Sequence, residues 1–512
     1  MLIRVSGAAV QGIDAYIVTI EVSTSRGIRF FLVGLPDNAV KESHERIFSA
    51  LHVNGFKFPS CQLIINMAPA DIRKEGSAYD LPLAVGIMAS SDEISTDHLG
   101  EYVIMGEMGL DGTLQPVKGA LSMAIKARAE GFKGIILPIQ NAPEAAVIDD
   151  LKVYGARHLR DVVDILNDEP GHVEPLKQDT LFQYAGDSAY HADFADVKGQ
   201  IAVKRALEVA ASGGHNLIMI GPPGSGKSMM ARALPSILPP LTEDESIETT
   251  RIHSVAGFTS NGAALITTRP FRHPHHTISN VALTGGGTNA QPGEISLAHN
   301  GVLYLDELPE FSRSALEVLR QPLEDRTIVI SRAKYRVEYP ASFMLVASMN
   351  PCPCGYYNHP TKECHCTPTT IERYLGRVSG PLMDRFDIQC EIQPVGFDDM
   401  SSEVKGERSL CIRERVIEAR RVQADRFSGE KGIYCNAQMD SRLLGRYAAA
   451  EPAAISMLGA AMNRLNLSAR AYDRILKVAR TRADMDRSET IQPHHIAEAI
   501  GYRSLDRSSW GK

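Results

Sequence analysis

The stretch NLIMIGPPGSGKSMMARAL (216–234) sets Gly221, Pro222, Pro223, Gly224, Ser225, Gly226, Lys227 and Ser228 between an apolar run and a helix-forming one. Glycines spaced this way let backbone N–H groups wrap an anion, and the helix that follows adds its partial positive charge. A lysine and a hydroxyl closing such a turn suit the β/γ-phosphate oxygens and Mg²⁺. Further along, GVLYLDELPE (301–310) ends an apolar run in Asp306 and Glu307. An aspartate there can hold Mg²⁺ together with Ser228, and the next carboxylate can polarise the water that attacks a γ-phosphate. The pair of motifs predicts hydrolysis of ATP with Mg²⁺ as cofactor.

Three more side chains fit that chemistry. FMLVASMN (343–350) ends in Asn350, a polar group able to orient the same water from a neighbouring strand. GPLMDRFDI supplies Arg385, and NLSARAYDRILKVAR supplies Arg470 on a predicted helix. In a ring of subunits, one arginine can reach a neighbour's γ-phosphate while another closes a helical lid on its own nucleotide.

Asn350 also opens NPCPCGYYNHPTKECHC, which holds four of the eight cysteines of the chain. Cys352, Cys354, Cys364 and Cys366 can close a tetrahedral Zn²⁺ site, with His359 or His365 as a substitute ligand. Reduced packing thiols and redox chemistry are the alternatives. A metal there would brace the end of the Asn350 strand and leave catalysis to other groups.

These residues need a scaffold, and 512 residues with 44% hydrophobic side chains can build about three domains. Residues 1–165 alternate short β-type runs (AYIVTIEV, IRFFLVGLP, QLIINMAP, GIILPI) with helical patterns, which predicts an α/β or α+β domain. Residues 166–192 are polar and aperiodic, as a linker would be. Residues 193–397 read as an α/β core whose buried parallel sheet takes LIMIG, GVLYLDEL, IVISR and FMLVASMN. Residues 398–512 read as helical.

The start of the chain does not look like a secretory leader, and no apolar run reaches the ~18 residues of a membrane span. A cytoplasmic protein with reduced thiols is expected, with no membrane partner. Net charge is −7, yet residues 401–512 carry 20 Lys and Arg against 14 Asp and Glu. That basic end points to nucleic acid or to a solvated helical surface.

The order GPPGSGKS, RPFRHPHHTIS, GGG, PGEISLAHNGVLYLDELPEF, ASMNPCPCG, SGPLMDRFDI and SARAYDRILKVARTRAD closely resembles the magnesium-chelatase-like AAA+ ATPases of the YifB/ComM type, over essentially the whole chain. The resemblance implies a domain similar to that of Lon protease, an AAA+ core and a helical lid, assembled as a hexamer. It implies a motor on DNA, with branch migration during natural transformation as the associated activity. It assigns Lys227 and Ser228 to Walker A, Asp306 and Glu307 to Walker B, Asn350 to sensor 1, Arg385 to the arginine finger and Arg470 to sensor 2. DFADVKGQ (193–200) resembles the segment near the adenine. A protein remodeller or a chelatase-type partner subunit is the alternative on the same core.

Two stretches carry further expectations. RKEGSAYDLPLA resembles the Lon stretch with the nucleophilic serine and puts Ser77 in its place, but Leu121 stands where the activating lysine belongs, with Lys118 one turn away. An assembly or DNA-contact platform is therefore expected in place of a peptidase. Between the Walker motifs, His273, His275, His276, Arg269, Arg272 and glycines 285–287 form a long insertion. It could bind metal, but as in related motors it is expected to face a central pore, its arginines touching a translocated strand.

Overall fold

The computed structural model describes residues 2–169, 173–176, 192–259, 264–287, 290–331, 336–394, 396, 406–430, 432–465 and 467–503. Most of the expected 166–192 linker and the 397/398 boundary lie outside the described residues. The chain is mixed α/β with a helical C-terminal region.

Alternating burial folds Leu2–Gln11 onto Asp14–Ser25 as an antiparallel pair, turning at Gly12 with a φ of 65°. Five more strands extend the pair into a seven-stranded mixed sheet, in the order Phe30–Val33, Gln62–Ala68, Asp14–Ser25, Leu2–Gln11, Tyr102–Ile104, Gly134–Pro138, Lys152–Ala156. Helix Asp80–Ser90 is apolar on nearly all sides and is buried from Asp80 to Ala89. Its one buried charge, Asp80, is satisfied by Arg46, whose Nε and Nη2 donate to the carboxylate at 2.6 and 2.8 Å. Burial raises the Asp80 carboxyl and Arg46 counters it.

The second sheet is all parallel, in the order Phe271–Arg272, Val302–Leu305, Met344–Met349, Leu217–Ile220, Ile388–Glu391. Its three inner strands are buried at every residue. Strands covered on both faces need no polar alternation, which is why they read as continuous apolar runs. IVISR was expected to join them and does not. Thr327–Ser331 pairs antiparallel with Arg336–Pro340 in a separate hairpin and buries only alternate residues, Ile328 and Ile330. The outer places of the sheet fall to Phe271–Arg272 and Ile388–Glu391, both too short to stand out.

From Ser409 on, the chain is helical: Ser409–Phe427, Ser441–Tyr447, Pro452–Leu465, Ala469–Met485 and Pro493–Gly501. A buried polar network joins this bundle to the sheet. His215, just before strand Leu217–Ile220, lies 3.2 Å from Asp387 Oδ2 and 2.8 Å from Thr481 Oγ1 of the bundle. Thr481 receives Asn436 Nδ2, which also donates to Asp484. Removing one partner of such a network strands the others without water, so it fixes the bundle in one orientation. No described helix is long and apolar enough to cross a membrane.

Candidate functional site

The turn after Leu217–Ile220 depends on its glycines. Gly224 and Gly226 have φ of 76° and 88°, a region costly for residues with a Cβ. A Cβ on Gly221 would come within 2.7 Å of the Ile392 carbonyl. Helix Lys227–Ala233 starts directly at the lysine. Its ammonium donates to the carbonyls of Gly221 and Pro222 at 2.7 and 2.9 Å and to Asn350 Oδ1 at 3.2 Å. Burial lowers the Lys227 pKa to about 8 against the opposing pull of Asp306 and Glu307.

Ser228 Oγ donates to Asp306 Oδ2 at 2.8 Å, so the two expected Mg²⁺ ligands share one point in space. Asp306 Oδ1 accepts from Ser348 Oγ and, at 3.0 Å, from the Glu307 backbone. Burial opposes the charge on Asp306, but the hydroxyls of Ser348, Ser228 and Tyr304 hold its carboxyl below the usual range. Tyr304, itself pushed up to about 12 by burial, lies 3.0 Å from Ser348 Oγ. Sequence reasoning missed Ser348 and Tyr304. Ser348 could have been found from strand periodicity, because it stands two residues before Asn350 and shares its face.

Glu307 sits at φ 52°, and its side chain is more than half exposed. Its Oε2 is 3.7 Å from His276 Nδ1. An acidic side chain held in the left-handed region beside a triphosphate turn is backbone strain of the kind found at reacting centres.

Arg385 and Arg470 lie elsewhere. Both belong to the amino end of the parallel sheet, whereas the glycine turn is at its carboxyl end. Asp387 N donates to the carbonyl of Asn216, the residue before strand Leu217–Ile220. Four residues of strand, about 13 Å, separate that level from the glycine turn. Arg385 is buried, pairs with Glu324 and donates to the Pro381 carbonyl at 3.1 Å. Arg470 is exposed, 3.7 Å from Asp384 Oδ2. The expectation was that Arg470 closes on its own nucleotide; the bundle, joined to the sheet through His215, Asp387 and Thr481, places it beside Arg385, away from the glycine turn.

Comparison with known proteins decides the family. The family described as magnesium chelatase, subunit ChlI, matches residues 193–400, with companion matches over 20–141 and, for its C-terminal part, 406–503. Competence protein ComM of Haemophilus influenzae is 43% identical over 98% of this chain and 97% of its own length. YifB of Salmonella typhimurium is 42% identical over 98% and 96%. The magnesium-chelatase 38 kDa subunit of Rhodobacter capsulatus is 23% identical over 44% of this chain and 68% of its own. The chain belongs to the magnesium-chelatase-like AAA+ ATPase family.

In this AAA+ core the four cysteines expected to gather do so. Cys352, Cys354 and Cys364 sulfurs lie 3.3–3.7 Å apart, and all four Sγ atoms are within 4.8 Å of one another. Zn–S bonds of about 2.3 Å in a tetrahedron put sulfurs roughly 3.8 Å apart, so the donor set fits Zn²⁺. The thiols do not ionise alike. Burial opposes ionisation at Cys354, yet hydrogen bonds from the Tyr356 backbone and the other thiols bring it to about 6, while Cys364 is pushed up to about 12. A cation among them would be needed for all four to ionise together. The gathered ligand atoms are the four thiols, without a histidine, and His359 Nδ1 accepts from Thr361 N and Lys362 N. The same loop presses on the glycine turn: a Cβ on Gly355 would come within 2.6 Å of Pro223 Cδ.

The insertion between the Walker motifs departs from expectation. Arg269 donates to Glu245 and to the carbonyls of Pro239, Pro240 and Asn300, and Arg272 makes two 2.6 Å bonds to Glu294. Both guanidiniums are paired with carboxylates of the same chain. The histidines follow strand Phe271–Arg272, which runs parallel to Val302–Leu305, so they are set beside the acidic pair; the His273 ring lies tilted against Tyr304, 4.8 Å between centroids. Among the described residues, the groups with metal-ligand spacing are the cysteines and the trio Asp486, His494 and His495, and these histidines are in neither.

In the N-terminal sheet region, Ser77 begins a short turn leading into helix Asp80–Ser90 and lines a cavity of about 770 Å³ shared with Lys118. Leu121 is fully buried. Lys118 runs along Gly257 of the core, with its Cε 2.9 Å from where a Cβ there would sit. Lys74, buried nearby in sequence, gives its ammonium to the Pro69 carbonyl.

Proposed function

We propose that this chain hydrolyses Mg·ATP at the junctions of a ring of identical subunits, a hexamer, and uses the cycle to work on DNA as a branch-migration or helicase-like motor. One observation carries the ring: the triphosphate-binding groups and the two arginines occupy opposite ends of one sheet. A single chain cannot bring them to one phosphate, whereas a neighbour can.

The γ-phosphate would take Lys227 from the carbonyls of Gly221 and Pro222, trading two neutral acceptors for a charged one. Ser228 and Asp306 would hold Mg²⁺, which neutralises charge on the phosphates. Glu307 orients and polarises the attacking water, and Asn350, already on Lys227, fixes the ammonium and the water relative to each other. Arg385 and Arg470 of the adjoining subunit stabilise charge as the terminal phosphoryl leaves. Glu324 must release Arg385 for this, so the isolated chain is a poor ATPase. Zn²⁺ on the four cysteines would brace the Asn350 strand and, through Gly355, the turn at Pro223.

DNA as substrate is supported by the YifB/ComM resemblance, by a close relative named as a competence protein and by the net positive C-terminal region. The ion-paired Arg269 and Arg272 take no part in it. The rival, a remodeller of polypeptide or a chelatase partner, is favoured by the likeness to the magnesium-chelatase subunit. Turnover measured with and without branched or single-stranded DNA separates them. Stimulation that collapses between ~50 and ~200 mM salt supports the DNA motor; turnover indifferent to DNA overturns it in favour of the remodeller.

A further inference from the structure

A second cavity, of about 360 Å³, lies at the amino end of the parallel sheet. Asn216, Gly301, Met344 and Asp387, at the starts of four strands, form one wall, and helices Ser409–Phe427 and Ala469–Met485 contribute Arg420, Arg474 and Lys477 to the other. None of the groups around Lys227 and Asp306 reaches it.

Its wall gathers more positive charge than it neutralises. Arg269 is matched by Glu245, Arg385 by Glu324 and Arg474 by Asp387. Arg326, Arg420 and Lys477 are half-buried and have no carboxylate at ion-pair distance among the described residues. They donate to carbonyls instead: Arg326 to Gly432 and Gln438 at 3.3 and 2.8 Å, Arg420 to Ala211 at 3.1 Å, Lys477 to Ala437 at 3.2 Å. The remaining carboxylate of the wall, Asp440, is spent as the cap of helix Ser441–Tyr447, accepting from Leu443 N at 2.7 Å. The cations also oppose one another. Burial lowers the Lys477 pKa against the pull of Asp387, and the charges of Arg474 and Arg326 lower it further.

Two more donors stand in the same wall. The Nε atoms of Arg385, whose side chain is 6% exposed, and of Arg474 are buried with no acceptor among the described residues. Charges and N–H groups held out of water without partners cost free energy until an anion supplies both. A carboxylate would bring a single charge and two oxygens. A phosphoryl group brings about −1.5 to −2 and three acceptor oxygens, which suits several convergent cations better.

We propose that this cavity binds a phosphoryl anion at a site separate from the glycine turn, with Arg326, Arg420 and Lys477 supplying charge and Arg385 and Arg474 completing the donors. Free inorganic phosphate and the phosphate end of a free nucleotide share this chemistry. The volume falls within the ~300–1,000 Å³ of pockets that take small organic ligands, and Tyr434, 60% exposed in the wall, offers a ring to a base. Binding itself does not depend on the ring. Its consequence rests on the ring reading above: an occupant that engages Arg385 keeps it folded inward, so turnover falls as the site fills.

Binding is measured by calorimetry on the full-length Lys227→Ala chain, whose glycine turn has lost its ammonium, with inorganic phosphate and, separately, ADP as titrants. One phosphate per chain is expected, with affinity weakened at least ~10-fold by Arg326→Gln or Lys477→Gln. Arg421→Gln, which removes a charge paired with Glu418 on the same helix as Arg420, should change nothing. Arg326 and Lys477 belong to different elements, so a folding defect in one variant leaves the other to decide. ADP that binds more tightly than phosphate, and is weakened by Tyr434→Ala as well as by Arg326→Gln, identifies the ligand as a nucleotide; phosphate binding equally tightly or more so identifies the free anion. No saturable binding of either, or binding that Arg326→Gln and Lys477→Gln both leave intact, overturns the site. In the otherwise wild-type chain, added phosphate should slow turnover and Arg326→Gln should lose that inhibition; equal inhibition in both overturns the link to Arg385. A wild-type protein that hydrolyses ATP as a single chain overturns the ring reading and leaves the binding site standing.

Discussion

The two ends of the parallel sheet are built from the same strands and do opposite work. At the carboxyl end, beside glycines with positive φ, Lys227 donates to the Gly221 carbonyl and to Asn350, and Ser228 to Asp306, at 2.7–3.2 Å. At the amino end, Arg385 is folded inward on Glu324, and Arg470 stands exposed beside Asp384. One end is assembled before any ligand arrives; the other holds its charge in reserve. On the ring proposed above, each end is half of a site that another copy completes.

The comparison breaks most sharply at the arginines. Arg385→Ala should leave ATP binding intact and cut turnover by about 10³–10⁵, the usual weight of an arginine in trans. Mixing Arg385→Ala with Lys227→Ala chains should recover part of the lost activity, because mixed rings contain junctions with one intact half from each. No recovery in mixed assemblies would place the arginine and the lysine on the same phosphate within one chain. Lys227→Ala should abolish detectable turnover and weaken nucleotide binding, and Glu307→Gln should retain ATP while lowering turnover by about 10²–10⁴. Both are read by single-turnover hydrolysis and filter binding.

The cysteine loop sharpens the carboxyl end. Zinc should be found at about one ion per chain by elemental analysis and fall when Cys352 and Cys364 become Ser together. Because Gly355 abuts Pro223, the same change should also weaken nucleotide binding, measured by titration of a fluorescent analogue. A more local effect is expected from Ser348→Ala. Removing that hydroxyl from Asp306 should raise the Mg²⁺ concentration needed for half-maximal turnover by about 10–100-fold, with ATP affinity in excess Mg²⁺ nearly unchanged.

The smallest effect is in pH. The Lys227 pKa is brought down to about 8 without phosphate. A bound phosphate favours the charged ammonium, so binding raises that pKa and takes up a proton once the pH passes 8. Nucleotide affinity should therefore fall by a few fold between pH 8 and 9.5, with proton uptake visible as buffer-dependent heat in calorimetry. Affinity flat across that range would mean that Lys227 is fully charged before phosphate arrives.

Much of the site was legible because its chemistry is local. Gly221 to Ser228 are consecutive, and the backbone path they impose needs nothing from elsewhere in the chain. Asp306, Glu307 and Asn350 end apolar runs that can only be central strands, so their meeting at one edge follows from a parallel sheet. The cysteine cluster was legible for the same reason, being closed within seventeen positions. Where long side chains were concerned, reading along the chain failed. Arg269 and Arg272 looked available in sequence and are held by Glu245 and Glu294, residues 24 and 22 positions away. IVISR had the composition of a core strand, and only its alternate burial shows it to be half of a hairpin.

By itself, the sequence determined the phosphate turn, the acidic pair, the thiol cluster and the order of α/β and helical segments, since each rests on contiguous residue types or on the period of a single element. The tertiary structure alone decided which end of the sheet receives Arg470, that Glu324 covers Arg385, and that Ser348 and Tyr304 steady Asp306. Those outcomes depend on how separately formed elements pack, through the buried joint of His215, Asp387 and Thr481 above all. No residue pattern along one element encodes the direction in which its far side will be turned.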